Sequence, residues 1–144
     1  MQGNCLCGEI AFEVSEPIPA VYKCYCSLCR RQTGATSNTA MAVNSSQFRW
    51  LSGQSLISTY KRDTGYTVNF CSHCGSPVPN QIRNSEFTWV PAGLLADTEA
   101  LIVGAHLYVD SRAGWETIPA GAKCFSEMPS LNEIVGYLYD QANT

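Results

Sequence analysis

Apolar and polar residues alternate along this chain in short bursts, and turn-forming residues interrupt them every few positions. Glu9-Ile10-Ala11-Phe12-Glu13-Val14 alternates at period two, as does Thr67-Val68-Asn69-Phe70, the spacing that puts one face of a strand in a core. Ala20–Cys24, Gln47–Leu51 and Phe87–Val90 are short, rich in β-branched or aromatic residues, and bounded by turn residues. Breakers such as Glu16-Pro17, Ser52-Gly53, Thr64-Gly65 and Pro91 are spread over the whole length. The pattern predicts a mainly β fold of several small antiparallel sheets in a single domain over residues 1–144. Helical periodicity appears at the end, where Ser130 and Glu133 form an S-x-x-E capping signature and Leu131, Ile134, Val135 and Leu138 line one face. A shorter helix over about 27–33 ends at Gly34, which suits the left-handed position closing a helix.

Composition narrows the function classes. Hydrophobic residues make up 45% of the 144 and charged residues 15%, as in a compact folded protein. The net charge is −3 and the basic residues are scattered, so no basic stripe argues for nucleic acid. No run reaches the length of a membrane span. The first residues lack a basic stretch followed by an apolar one, which places the expected location in the reducing cytoplasm. In that setting clustered cysteines bind metal more often than they form disulfides, and a ring closed across one intervening residue is strained.

Seven of the eight cysteines fall into three clusters: Cys5-x-Cys7, Cys24-x-Cys26-x-x-Cys29 and Cys71-x-x-Cys74. The grouping is two, three and two. Cys71 and Cys74 are spaced for a tight turn that aims both sulfurs at one ion, and Gly75 lets the backbone fold beneath it. Cys5 and Cys7 share one face if their segment is extended, with Gly8 relaxing the chain afterwards. The two pairs together complete a closed four-thiolate site, the donor set of structural zinc. Such a site staples the N-terminus to the middle of the chain and contributes on the order of 10 kcal/mol to folding.

Cys24, Cys26 and Cys29 remain as a three-thiolate set. Cys24 and Cys26 share a strand end, and Cys29 closes from the first turn of the short helix. Three protein ligands leave zinc a fourth, exchangeable position, the arrangement of catalytic sites. An all-sulfur set favours a soft visitor, and a substrate thiol is one. Arg30 and Arg31 follow directly, either facing a substrate carboxylate or lying on the surface. His106 either closes the open position, shuttles a proton, or is a hydrogen-bonded structural residue. Cys124 is either packed in the core or a fourth ligand. His73, between two ligands, faces solvent or supports them. Trp50, Tyr60 and Trp115 either pack the core or wall the open site.

Gly3-x-Cys5-x-Cys7-Gly8, Cys24-x-Cys26-x-x-Cys29-Arg30-Arg31 and Phe70-Cys71-x-x-Cys74-Gly75 resemble the glutathione-dependent formaldehyde-activating enzyme family, whose domain also occurs in centromere protein V. The resemblance continues through His106-x-x-x-Asp110 and Trp115 to about Pro129. Many members carry two glycines before the first cysteine where this chain has Gly3-Asn4, which alters the turn and not the ligand set. The resemblance implies a β-tent fold of small sheets around a zinc knuckle. It implies structural zinc on Cys5, Cys7, Cys71 and Cys74, and a second, labile zinc on Cys24, Cys26 and Cys29 where glutathione docks. The implied activity is that of a carbon–sulfur lyase forming S-hydroxymethylglutathione from glutathione and formaldehyde. The residues leave two other readings open: a non-catalytic glutathione or zinc carrier or interaction module, and a related enzyme for another aldehyde or thiol adduct.

Overall fold

The computed structural model describes residues Met1–Thr144. In chain order the elements are β1 (Gln2–Asn4), β2 (Ala11–Val14), β3 (Val21–Cys24), α1 (Ser27–Thr33), β4 (Asn38–Asn44), β5 (Phe48–Ser52), β6 (Ile57–Lys61) and β7 (Thr67–Cys71). They continue with β8 (Pro77–Val78), β9 (Asn80–Gln81), β10 (Phe87–Pro91), β11 (Val103–Leu107), β12 (Cys124–Phe125) and α2 (Leu131–Ala142). The protein is mainly β, with several small sheets. It divides into two compact units, residues 1–18 with 42–100 and residues 19–41 with 101–144. No helix is long and apolar enough to cross a membrane.

The first unit contains two antiparallel three-stranded sheets, ordered β1-β2-β5 and β6-β7-β8, together with the antiparallel pair β9-β10. Period-two alternation in β2 buries Phe12 and Val14 completely, and Phe12 meets Phe48 and Trp50 of β5 at ring distances of 5.7 and 6.2 Å. β2 begins at Ala11 rather than Glu9. The residues before it are spent on a turn, in which Gly8 N–H donates to Cys5 O at 2.9 Å and Cys5 N–H to Ile10 O at 3.0 Å. Behind that turn Ile10, Cys5, Cys71 and Val78 form a fully buried cluster. Gly53 closes against it with φ +79°, and a Cβ there would lie 2.3 Å from the Glu9 carbonyl oxygen. Only glycine allows both that dihedral and that approach.

In the second unit β3, β11, β12 and the start of β4 run in the order β12-β11-β3-β4. β11 is the exception to antiparallel pairing: it lies parallel to β3, with Leu107 opposite Cys24, and parallel to β12, with His106 opposite Cys124. Parallel neighbours need long crossovers, so local alternation could not announce this pairing. β3 and β4 are antiparallel and place Asn38 opposite Cys24. α1 ends at Gly34 in the left-handed conformation. The capping box of α2 forms as its sequence indicates, and the helix buries Ile134, Val135 and Leu138. Leu138 O accepts the Ala20 N–H at 3.0 Å, tying the helix to the start of β3.

Candidate functional site

The first thiol cluster is built from two turns. Cys5 and Cys7 do not lie on an extended segment. The turn closed by the Gly8 N–H folds them so that their sulfurs stand 3.5 Å apart. Cys71 ends β7, and Gly75 N–H donates back to Cys71 O at 2.8 Å, bringing Cys74 round. Gly8 and Gly75 both take positive φ, 81° and 77°. Cys7 Sγ then lies 3.8 Å from Cys71 Sγ, and all four sulfurs fall within 4.8 Å of one another. Tetrahedral zinc with Zn–S near 2.3 Å requires S···S separations of about 3.8 Å, so this donor set fits the ion in number, type and spacing. Polar backbone and side-chain groups already face the sulfurs. Ile10 N–H points at Cys5 Sγ at 3.4 Å, and Ser76 pulls the Cys74 thiol down to about 5. The Glu9 amide favours ionised Cys7, but desolvation and the adjoining sulfurs outweigh it and push that thiol up to about 12. Four thiols this close cannot all ionise unless a cation is shared among them.

The second cluster lies wholly in the other unit. Cys24 ends β3 and Cys29 sits in the first turn of α1, both buried. Cys26 is the residue that caps α1 rather than part of the strand, its sulfur accepting the Cys29 N–H at 3.4 Å. The three sulfurs are also within 4.8 Å of one another. Hydrogen bonds from Cys24 and Cys29 draw the Cys26 thiol down to about 2. The same contacts with Cys26 and Cys29, with burial, drive Cys24 far up. One thiolate is thus favoured within a set whose spacing suits a soft cation.

Two of the surrounding groups escaped sequence reasoning. Buried Asn38 directs its amide at Cys29 Sγ, at 3.9 Å, and at Gln32 Oε1, at 3.5 Å. It comes from β4, which went unrecognised because four successive buried residues hide the strand period. Tyr25, between two of the thiols, is fully buried, and its hydroxyl meets His106 Nδ1 at 2.7 Å with the rings stacked. His106 is thus buried and hydrogen-bonded, and it does not join the sulfur set. Burial, then Lys23, hold its pKa below the usual histidine value.

The remaining sequence candidates sort plainly. Cys124 is neither core nor ligand: it is exposed on β12 and lies outside both sulfur sets. Arg30 and Arg31 both lie in the last turn of α1. Arg31 is exposed, whereas Arg30 is half-buried and its Nε is buried without a hydrogen-bond partner. Trp50 packs with Phe48 in the first unit, while Tyr60 and Trp115 are exposed rather than core. His73 is exposed and pairs through Nδ1 with Glu9 at 2.7 Å.

A mainly β frame carrying separate four-sulfur and three-sulfur clusters defines a cysteine-rich protein with metal-ligand spacing. This chain belongs to the glutathione-dependent formaldehyde-activating enzyme family, whose model matches residues 1–111. The match covers all seven clustered cysteines and stops short of Trp115 and Pro129, to which the sequence resemblance had been carried. A curated Halomonas elongata protein, described as a putative glutathione-dependent formaldehyde-activating enzyme, is 30% identical over 82 residues. The matched stretch spans 53% of this chain and 52% of that relative, about half the length of each. The fold is also similar to a crystal structure of a Rhodobacter sphaeroides protein, with TM-score 0.56 and 29% identity over 67% of this chain and 88% of that one.

Proposed function

We propose that this chain is a zinc-dependent thiol-handling enzyme of the carbon–sulfur lyase type, adding glutathione to formaldehyde to give S-hydroxymethylglutathione in the cytoplasm. The observation that carries this reading is the three-sulfur set of Cys24, Cys26 and Cys29 inside the region matched by the family. With the His106 ring turned to Tyr25 and Cys124 exposed on β12, that set is left for a visiting fourth ligand. In the same reading Cys5, Cys7, Cys71 and Cys74 hold a structural zinc. Zinc held by Cys24, Cys26 and Cys29 supplies a Lewis acid that lowers the pKa of an incoming thiol.

The chain's own residues then have definable parts. The Asn38 amide donates to Cys29 and withdraws charge from that sulfur. Tyr25, anchored by His106, fixes the backbone between Cys24 and Cys26. Arg30 and Arg31 attract a carboxylate of the thiol substrate, Arg31 from an exposed position and Arg30 from a half-buried one directly after Cys29. In the reaction the glutathione sulfur bonds to the carbonyl carbon. The C=O π pair moves to oxygen, and the proton lost by the thiol ends there.

The test is the rate of S-hydroxymethylglutathione formation with the protein against buffer alone. Acceleration that disappears in Cys26→Ala, while that variant keeps one zinc, supports the reading. A rate equal to buffer removes the enzymatic claim, and tight glutathione binding without turnover marks a carrier instead.

A further inference from the structure

A third group of metal-type donors shares one member with the first thiol set. Cys7 Sγ, a Glu9 carboxylate oxygen and a His73 ring nitrogen are within 4.8 Å of one another, and all three residues are exposed. Cys7 thereby belongs to two groups at once. On one side are Cys5 and Cys71, both completely buried, and on the other are Glu9 and His73 in solvent. The two turns create this arrangement together. One places Glu9 two residues beyond Cys7, and the other sets His73 between Cys71 and Cys74. The 2.7 Å contact between His73 Nδ1 and Glu9 Oε2 keeps both side chains within 4.8 Å of the Cys7 sulfur.

We propose that Cys7, Glu9 and His73 form an entry site for a thiophilic divalent cation of the zinc class, through which the four-thiolate centre is loaded and unloaded. The inference rests on the reading that Cys5, Cys7, Cys71 and Cys74 hold zinc. The buried sulfurs of Cys5 and Cys71 cannot take an ion from water directly, because its hydration shell must be stripped first. A mixed sulfur, nitrogen and oxygen set at the surface replaces that shell in part, and all three donor types are ordinary zinc ligands. Each donor gives its proton to water as it binds: first the one shared between His73 Nδ1 and Glu9 Oε2 and the thiol proton of Cys7, then the thiol protons of Cys5, Cys71 and Cys74. Cys7 keeps hold of the ion while Cys5, Cys71 and Cys74 replace Glu9, His73 and the remaining water. Zinc has no geometric preference from d-electrons, so ligands can be exchanged one at a time around it. The same steps run in reverse on release.

An entry site and a protective cap predict opposite signs. If the pair lies on the exchange path, removing it slows loading and release equally and leaves the final affinity unchanged. If the pair merely shields Cys7, removing it speeds release. The experiment uses zinc-loaded protein in a Cys26→Ala background, so that a single four-thiolate centre is read. An excess of a different zinc isotope is added, and replacement is followed by native mass spectrometry. Glu9→Gln and His73→Ala each slow exchange severalfold, and the double variant is little slower than either. Zinc content and melting temperature of the loaded protein stay at the parental values. Exchange that is unchanged or faster in the variants overturns the entry site while leaving the structural zinc intact. A parental protein that holds no zinc on these cysteines overturns both.

Discussion

Tyr25 stands between two thiols and commits its hydroxyl to a histidine 81 residues away. Its neighbours explain why this is a fixed contact. The ring is fully buried, and burial, then Glu116 and Cys124, push the phenol up to about 12, so it stays protonated and able to donate. Tyr25→Phe preserves the ring and leaves the buried His106 Nδ1 without its partner, a loss of about 1–3 kcal/mol that urea unfolding measures. Zinc affinity should fall at the Cys24–Cys26–Cys29 set and hold at the other, which separate chelator titrations of each centre resolve. His106 adds a pH dependence of definite sign. Burial, then Lys23, lower its folded pKa from 6.5, so the unfolded chain takes up a proton first as pH falls. Its contribution is present above pH 6.5 and is lost as pH drops from there towards the folded value. His106→Gln should flatten that part of the stability profile relative to the parent, as chemical denaturation across the interval checks.

At the scale of elements, the turns and caps are where local sequence acts most directly. Ser130→Ala removes the side-chain cap of α2 and should cost about 1 kcal/mol, read by thermal or chemical unfolding. The same change removes an acid dependence. The Ser130 hydroxyl holds the Glu133 carboxyl below its usual 4.5, so this stabilisation is present above pH 4.5 and fades as pH falls through the folded value. Gly53→Ala is expected to be more damaging than the cap change. It forces φ +79° on a residue with a Cβ and drives that atom into the Glu9 backbone behind the Cys5 turn. Loss of stability together with weaker metal retention by the first cluster would show both effects. These elements were also the most legible in the sequence, because a capping box and a closing glycine are local signals. β4, β6 and β11 were not. β4 is buried at four successive positions and β6 is largely exposed, so neither alternates cleanly, while the alternation of His106 with Ala105 and Leu107 in β11 does not reveal its parallel partners.

For the whole molecule, each compact unit carries one thiol cluster, the four-sulfur set in the first and the three-sulfur set in the second. Chelation therefore acts on them unequally. The first cluster joins residues nearly the length of its unit apart in sequence and shares a core with Ile10 and Val78. In the proposed zinc-loaded protein, stripping the metal from this cluster should expose β7 and the Cys5 turn to hydrogen exchange, with a stability loss on the order of 10 kcal/mol. Loss of metal from Cys24, Cys26 and Cys29 spans six residues of chain and should leave the amides of α2 protected. Site-resolved hydrogen exchange before and after graded chelation distinguishes the two.

Spacing along the chain by itself settled what depends on near neighbours: the grouping of the thiols, the two helices with Gly34 closing one and the Ser130 capping box opening the other, and the alternating strands. Two residues between sulfurs, or a serine three before a glutamate, act through a single turn of backbone and need nothing distant. Only tertiary structure decided that Cys5 turns rather than extends, that Asn38 faces Cys29, that His106 is held by Tyr25, and that Cys124 is left in solvent. Those outcomes depend on strand register and burial, which join residues tens of positions apart and leave no periodic trace between them.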